Sequence, residues 1–211
     1  MSDSLDNVDL QHLDVFKEIG NIGAGNAATA LAGLLGKQIN MSVPDVQIVP
    51  FKDIVNILDG PESLVVGVLI NMSGDLNGYI LMLVGIEDAY EMISIVLNKD
   101  KNIPKDFTVT DLTEMDKSAL SEMANILVGA YLSAICSLSN LSVVPSVPQL
   151  AIDMVGAIIS IVAIEYSKIG DSVLFLKTNF SDVNKNMAGH FFLIPDYASY
   201  NTLIESLGMS F

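Results

Sequence analysis

Two stretches of this chain carry the same polar stencil. The first reads Asp14, Glu18, Asn21, Gly25, and the second reads Ser118, Glu122, Asn125, Gly129. Both follow the spacing (Asp/Ser)-x3-Glu-x2-Asn-x3-Gly. A helix advances ~100° per residue, so each set makes one stripe along a helix face. Glu and Asn three apart stand ~60° apart around the axis and ~4.5 Å apart along it. The pair offers a carboxylate acceptor beside an amide that both donates and accepts. It contains neither an activated nucleophile of the Ser–His kind nor a metal set. It can orient a water molecule or grip a cation on a partner. Such chemistry suits hydrolysis of a bond that is already reactive, an acyl phosphate for example. Positioning alone contributes on the order of 7–11 kcal/mol at the upper end.

A single Glu-x-x-Asn on a helix reads as a solvated face. Repetition changes the weighing. From Glu18 to Glu122 the offset is 104, and across it Lys17 has become Ser121 and Asn26 has become Ala130. The Glu, Asn and Gly positions have not drifted, and Asp14 has become the equally small and polar Ser118. Glycines near the first stripe, Gly23-Ala24-Gly25-Asn26-Ala27-Ala28, also match a dinucleotide-loop pattern. That pattern needs a preceding apolar strand. The preceding segment, Leu13 to Ile19, is charged and helix-periodic, and the second half has Leu127-Val128-Gly129-Ala130 instead. The glycines are expected to permit close approach of another backbone, because each costs a helix up to ~1 kcal/mol relative to alanine.

The elements that must position these stripes repeat as well. The 104 offset carries Pro44 to Pro148, and at 108 Asn71-Met72-Ser73 matches Asn179-Phe180-Ser181. The expectation is a single domain built from two homologous halves, about residues 10–98 and 112–211, related by pseudo-twofold symmetry. Leu10–Leu35 reads as a long helix stopped by Gly36. Short strands are expected at Gln38–Val43 and Val46–Val49, and a hairpin from Leu64–Met72 and Gly78–Val84. Ile86–Leu97 is amphipathic, and Asn98–Asp111 reads as the polar linker. Thr113-x-x-Asp116 is a helix N-terminal signal ahead of a second long helix, running to about Ser137. Strands are expected within Leu150–Tyr166, where Ala151–Ile164 could be part helix. Further strands fall at Ser172–Phe180 and Gly189–Ile194, and a last helix begins near Asp196. The fold class is α+β, two long helices packed with a largely antiparallel sheet.

Composition narrows the partners. The 211 residues are 51% hydrophobic and 17% charged, which is the balance of a compact chain rather than a disordered one. The net charge of −15, with ten Lys and Arg, speaks against nucleic acid and anionic membrane surfaces. The longest apolar run, Met154–Ile164, is too short to span a bilayer, and the start is not that of a signal peptide, so a soluble, cytoplasmic protein is expected. Cys136 is the only cysteine, which excludes an internal disulfide, and its apolar neighbours suggest a buried thiol. His12 and His190 have no close Cys or His to form a tight transition-metal site.

The residues Glu18-Ile19-Gly20-Asn21-Ile22-Gly23-Ala24-Gly25-Asn26-Ala27-Ala28, with Glu122-Met123-Ala124-Asn125-Ile126-Leu127-Val128-Gly129, resemble the signatures of the CheC/CheX/FliY phosphatases of chemotaxis. The likeness runs from about residue 10 to the end. Two intact stencils point to the CheC branch, since CheX carries one and FliY a further domain. The resemblance implies hydrolysis of the aspartyl phosphate on the response regulator CheY. It implies that Asn21 and Asn125 place the attacking water and that Glu18 and Glu122 pair with a regulator lysine. Asp14, Ser118, Gly25 and Gly129 would be supporting positions. It further implies that the regulator brings its own Mg2+ and that the receptor deamidase CheD is a second partner; the spacing does not place that contact, which is expected in the second half, near Leu150–Tyr166. Ala124 in place of Gly20 is expected to make the sites unequal. An adaptor that binds phosphorylated CheY or CheD with little catalysis, and a purely structural duplicated domain, remain the rival readings.

Overall fold

The computed structural model describes residues 10–36, 38–99, 112–166, 172–181 and 186–208. In chain order the first elements are α1 (Leu10–Leu35), β1 (Asn40–Pro50) and α2 (Ile54–Ile57). They are followed by β2 (Leu64–Gly74), β3 (Gly78–Gly85) and α3 (Ile86–Leu97). Next come α4 (Glu114–Ser139), β4 (Val143–Pro145), β5 (Gln149–Met154) and α5 (Val155–Tyr166). The last are β6 (Ser172–Ser181), β7 (Asn186–Pro195) and α6 (Tyr197–Ser206). The expected linker lies, from residue 100 to 111, outside the described residues.

All seven strands join one antiparallel sheet in the order β1-β6-β7-β3-β2-β4, with β5 beside β4 on the same edge of β2. The hairpins β2–β3 and β6–β7 meet at the centre, where Gly78 to Leu83 pairs with Pro195 to His190. The outer strands cross over. Asn40 to Pro50 lies along Ser181 to Ser172, and Gln149 to Met154 lies along Leu69 to Leu64. The strand that follows each long helix therefore pairs with the hairpin that follows the other long helix.

The central strands are apolar on both faces, so alternate residues feed two cores. Ile80, Met82 and Val84 of β3, with Phe191 and Leu193 of β7, face α1 and α4. Leu81 and Leu83, with Phe192 and Ile194, face the layer that holds α2 and α5. The long helices pack against each other over the first core, burying Phe16, Ile19, Ala27 and Leu31 from α1 and Leu120, Met123, Leu127 and Tyr131 from α4.

Local chemistry sets the helix ends. The αL conformation of Gly36 (φ 61°) stops α1. A capping box starts α4: the Thr113 hydroxyl accepts from Asp116 N–H at 3.3 Å, and the Asp116 carboxylate accepts from Thr113 N–H at 3.0 Å. Lys99, just past α3, donates to the same carboxylate at 2.5 Å and ties α3 to α4. Burial pushes the Asp116 carboxyl up, but the hydrogen bonds from Lys99 and Thr113 outweigh it and hold it below the ordinary carboxylate value.

One expectation needs correction, and one open choice is resolved. Residues 38–43 and 46–49 were expected as two strands; they form one, β1, with a bulge between Ser42 and Asp45. Pro44 has no N–H to give the ladder, so the strand bulges there instead of ending. The ambiguous stretch after Leu150 divides at Met154 into strand and helix.

Candidate functional site: two acid–amide ridges on paired helices

Each long helix buries one face, and the stencil lies on the other. Asp14, Glu18, Asn21 and Gly25 of α1 are exposed, as are Ser118, Glu122 and Asn125 of α4, while Gly129 is half-buried. Among the described residues, no hydrogen bond or ion pair engages Glu18, Glu122 or Asn125, so their side chains are available to a visitor. Carboxylates on such an exposed face lose little by pairing with an incoming cation.

The first carboxamide is already oriented. Inside the bulge of β1, Val43 is skipped by the ladder register, and its N–H donates to Asn21 Oδ1 at 3.3 Å. This bond fixes the amide oxygen toward the protein and leaves the Nδ2 donors for a ligand. Gly20 permits the approach: a Cβ there would stand 3.1 Å from Val43 Cγ1 and 3.2 Å from Leu176 Cδ2. Position 124, at the 104 offset, is a fully buried alanine.

The glycines divide into two kinds. A Cβ on Gly23 would lie 2.6 Å from Tyr131 Cδ1 and 3.1 Å from Tyr131 Cα, so this glycine lets α1 and α4 meet. The corresponding positions, Leu127 and Ala27, reverse the two sizes and are also buried. Tyr131 is anchored by a 2.8 Å hydrogen bond with Thr178 and by the Phe191 ring at 4.9 Å, and burial pushes its hydroxyl up to about 12. Close approach within the protein thus explains Gly20 and Gly23. It does not explain Gly25 or Gly129, where an added Cβ meets nothing within 4 Å.

The remaining singled-out residues lie elsewhere. His190 is on β7, stacked on Phe175 at 5.8 Å, and its Nδ1 is buried without a hydrogen-bond partner. Burial, helped by Lys177, pulls its pKa down to about 4 against an opposing pull from Asp59. His12 is buried on α1, and Cys136 is half-buried, not the fully buried thiol expected. No group of three or more His, Cys, Asp or Glu among the described residues could hold a metal ion. One described helix, α4, is long and apolar enough to cross a membrane by length and composition alone, and half of that stretch is buried inside the protein.

Paired long helices over one antiparallel sheet make a fold that solved structures share. X-ray coordinates of Thermotoga maritima FliY superpose with a TM-score of 0.75 over 96% of this chain and 98% of that one, at 16% identity, which establishes the shared fold. The sequence profile of the CheC-like family matches residues 12–48, the span of the first ridge and of the bulge that braces it. The Bacillus subtilis CheY-P phosphatase CheC is 35% identical over 204 residues, covering 95% of both chains. The flagellar motor switch phosphatase FliY of the same organism is 25% identical over 69% of this chain and 36% of its own length. The chain belongs to the CheC family.

Proposed function

We propose that this protein is a phosphatase acting on the aspartyl phosphate of the chemotaxis response regulator CheY. The observation that carries this is the pair of solvent-facing ridges, each with an unengaged carboxylate and a carboxamide whose Nδ2 donors stay open, although Val43 N–H holds the Asn21 oxygen. The name and 35% identity of the Bacillus subtilis relative support the substrate. In the reaction, water oxygen attacks phosphorus and the bond to the aspartyl oxygen breaks, giving a free carboxylate and inorganic phosphate. Asn21 and Asn125 hold the water in line by hydrogen bonding. Glu18 and Glu122 pair with a lysine on the regulator and fix its orientation. Charge on the phosphoryl oxygens is met by Mg2+ carried by the regulator. The work done by this chain is placement, which is where most of the barrier reduction in phosphoryl transfer originates.

Such a protein works in the cytoplasm, beside its regulator. The deamidase CheD is the second partner in this reading, and the β5–α5 segment suits it: Met154 and Ile161 there present apolar surface to solvent. The deciding experiment mixes the chain with an excess of phosphorylated regulator. Many phosphates released per chain support the phosphatase. A phosphate that becomes longer-lived on binding supports the adaptor reading instead. Asn21→Ala with Asn125→Ala should abolish the acceleration, and an unchanged rate would refute water placement.

A further inference from the structure

The two ridges are not alike where they begin. At the N-terminal end of the α4 ridge there is an open hollow of about 300 Å³, walled by the last turns of α1 and α3. Its apolar lining comes from Leu34, Leu35, Val96, Leu97 and Met115, and its polar rim is Ser118 and Glu122. Met115, Ser118, Glu122 and Asn125 follow each other at three- and four-residue steps, so the hollow continues the ridge along one helix face. Met115 is 66% exposed and Leu34 is 54% exposed, large apolar side chains left in water at the edge of a charged site. The Lys99–Asp116 bond holds α3 against α4 and keeps the hollow framed.

Leu34 keeps a like counterpart at the first ridge, Leu138, which is also exposed, but three other matching places differ. At the 104 offset Met115 corresponds to Gln11 and Leu35 to Ser139, and at the 108 offset Leu97 corresponds to Glu205. Ser139 is buried and spends its hydroxyl on the backbone, donating to Ile135 C=O at 2.7 Å. Glu205 is exposed, so the position matching Leu97 carries a negative charge instead of an apolar side chain.

We propose that the hollow beside Glu122 is a specificity subsite that seats an apolar side chain of the phosphorylated regulator, and that the first ridge has no such seat. This rests on the function proposed above. Continuity with the ridge commits the occupant: any protein whose lysine reaches Glu122 lies over Met115 and Leu34 as well. The second ridge then selects among regulators by an apolar contact, and the first, with its carboxamide already held by Val43, relies on polar contacts alone.

The test uses the full chain in two backgrounds. Glu18→Gln with Asn21→Ala leaves only the second ridge, and Glu122→Gln with Asn125→Ala leaves only the first. Into each are placed Leu97→Glu and Met115→Gln, the residues found at the positions matched by the two offsets. Turnover of phosphorylated regulator is measured, together with the Kd for regulator carrying beryllofluoride in place of the phosphoryl group. The expected result is about a tenfold rise in KM and Kd when only the second ridge operates, with kcat within twofold, and no rise when only the first operates. A tenfold change is ~1.4 kcal/mol. Unchanged KM and Kd in the second-ridge background, with turnover intact, would overturn the subsite and leave the phosphatase standing. Equal losses in both backgrounds would also overturn it, as an effect through the fold. If neither background turns over but Kd still rises only in the second, the subsite stands and the phosphatase falls.

Discussion

Gly23 and Gly25 sit two residues apart on one helix, and replacing each with alanine should move stability in opposite directions. Alanine gains roughly 0.8–1 kcal/mol over glycine inside a helix from backbone entropy alone. At Gly25 the new methyl meets nothing within 4 Å, so the whole gain should appear, about 1 kcal/mol. At Gly23 it would lie 2.6 Å from the Tyr131 ring. That ring cannot swing clear without losing its hydrogen bond with Thr178 and its contact with Phe191. The Tyr131 Cα, at 3.1 Å, forces the helices themselves apart. Overpacking of this kind costs ~1–3 kcal/mol, and a backbone obstacle places it near the upper end, so the net loss should be about 2 kcal/mol. The two variants should then differ by about 3 kcal/mol in urea unfolding at constant m, or by about 6–12 °C in Tm for a chain of this size. Adding Tyr131→Leu should recover part of the Gly23→Ala loss, a coupling above ~0.5 kcal/mol. A Gly23→Ala protein as stable as the parent, or a Gly25→Ala protein destabilised to the same degree, would refute the assignment of one glycine to helix contact and the other to open surface.

Asn21→Ala should lower stability by about 1 kcal/mol, because it orphans Val43 N–H, whereas Asn125→Ala should leave the unfolding midpoint unchanged. His190 carries a pH signature: its folded pKa lies near 4, below an unfolded value of about 6.5. The contribution is therefore complete above pH 6.5 and is lost as pH falls toward 4, by up to about 3 kcal/mol. His190→Phe should flatten that part of the stability profile measured by denaturant titration. Asp116 has the same sign in a lower window, since its carboxyl is held below the ordinary value. Its share is present above about pH 4 and drops away below, and Asp116→Asn should remove that slope while costing about 1 kcal/mol at neutral pH through the weakened cap.

Local signals carried far in this chain. The spans of α1 and α3 followed from periodicity and from Gly36, and the start of α4 from Thr113 and Asp116, because short-range chemistry decides them. The hairpin β2–β3 was legible for the same reason, with apolar runs flanking a polar turn. The start of α5 was not legible. Val155 N–H and Gly156 N–H are satisfied by the carbonyls of Ser63 and Pro61, at 2.9 Å each, so a distant loop does the work of a cap. Both stripes were visible as spacing, and each proved to lie on an exposed helix face. The Val43 brace on Asn21 and the hollow beside Glu122 were not visible, because each is built from segments far apart in sequence. Only the Pro44 bulge left a trace that could have pointed to the brace.

The crossed outer strands have a consequence for how the chain must assemble. Each hairpin finds its flanking strands in the opposite half, so residues 10–98 alone hold a hairpin with both outer edges bare and a β1 with nothing to pair with. A break between α3 and α4 would give two fragments that are insoluble or unstructured apart and regain the sheet only on mixing. By the same geometry, two separate halves of this plan would close the sheet only by exchanging their outer strands, and each would bring one ridge to the surface.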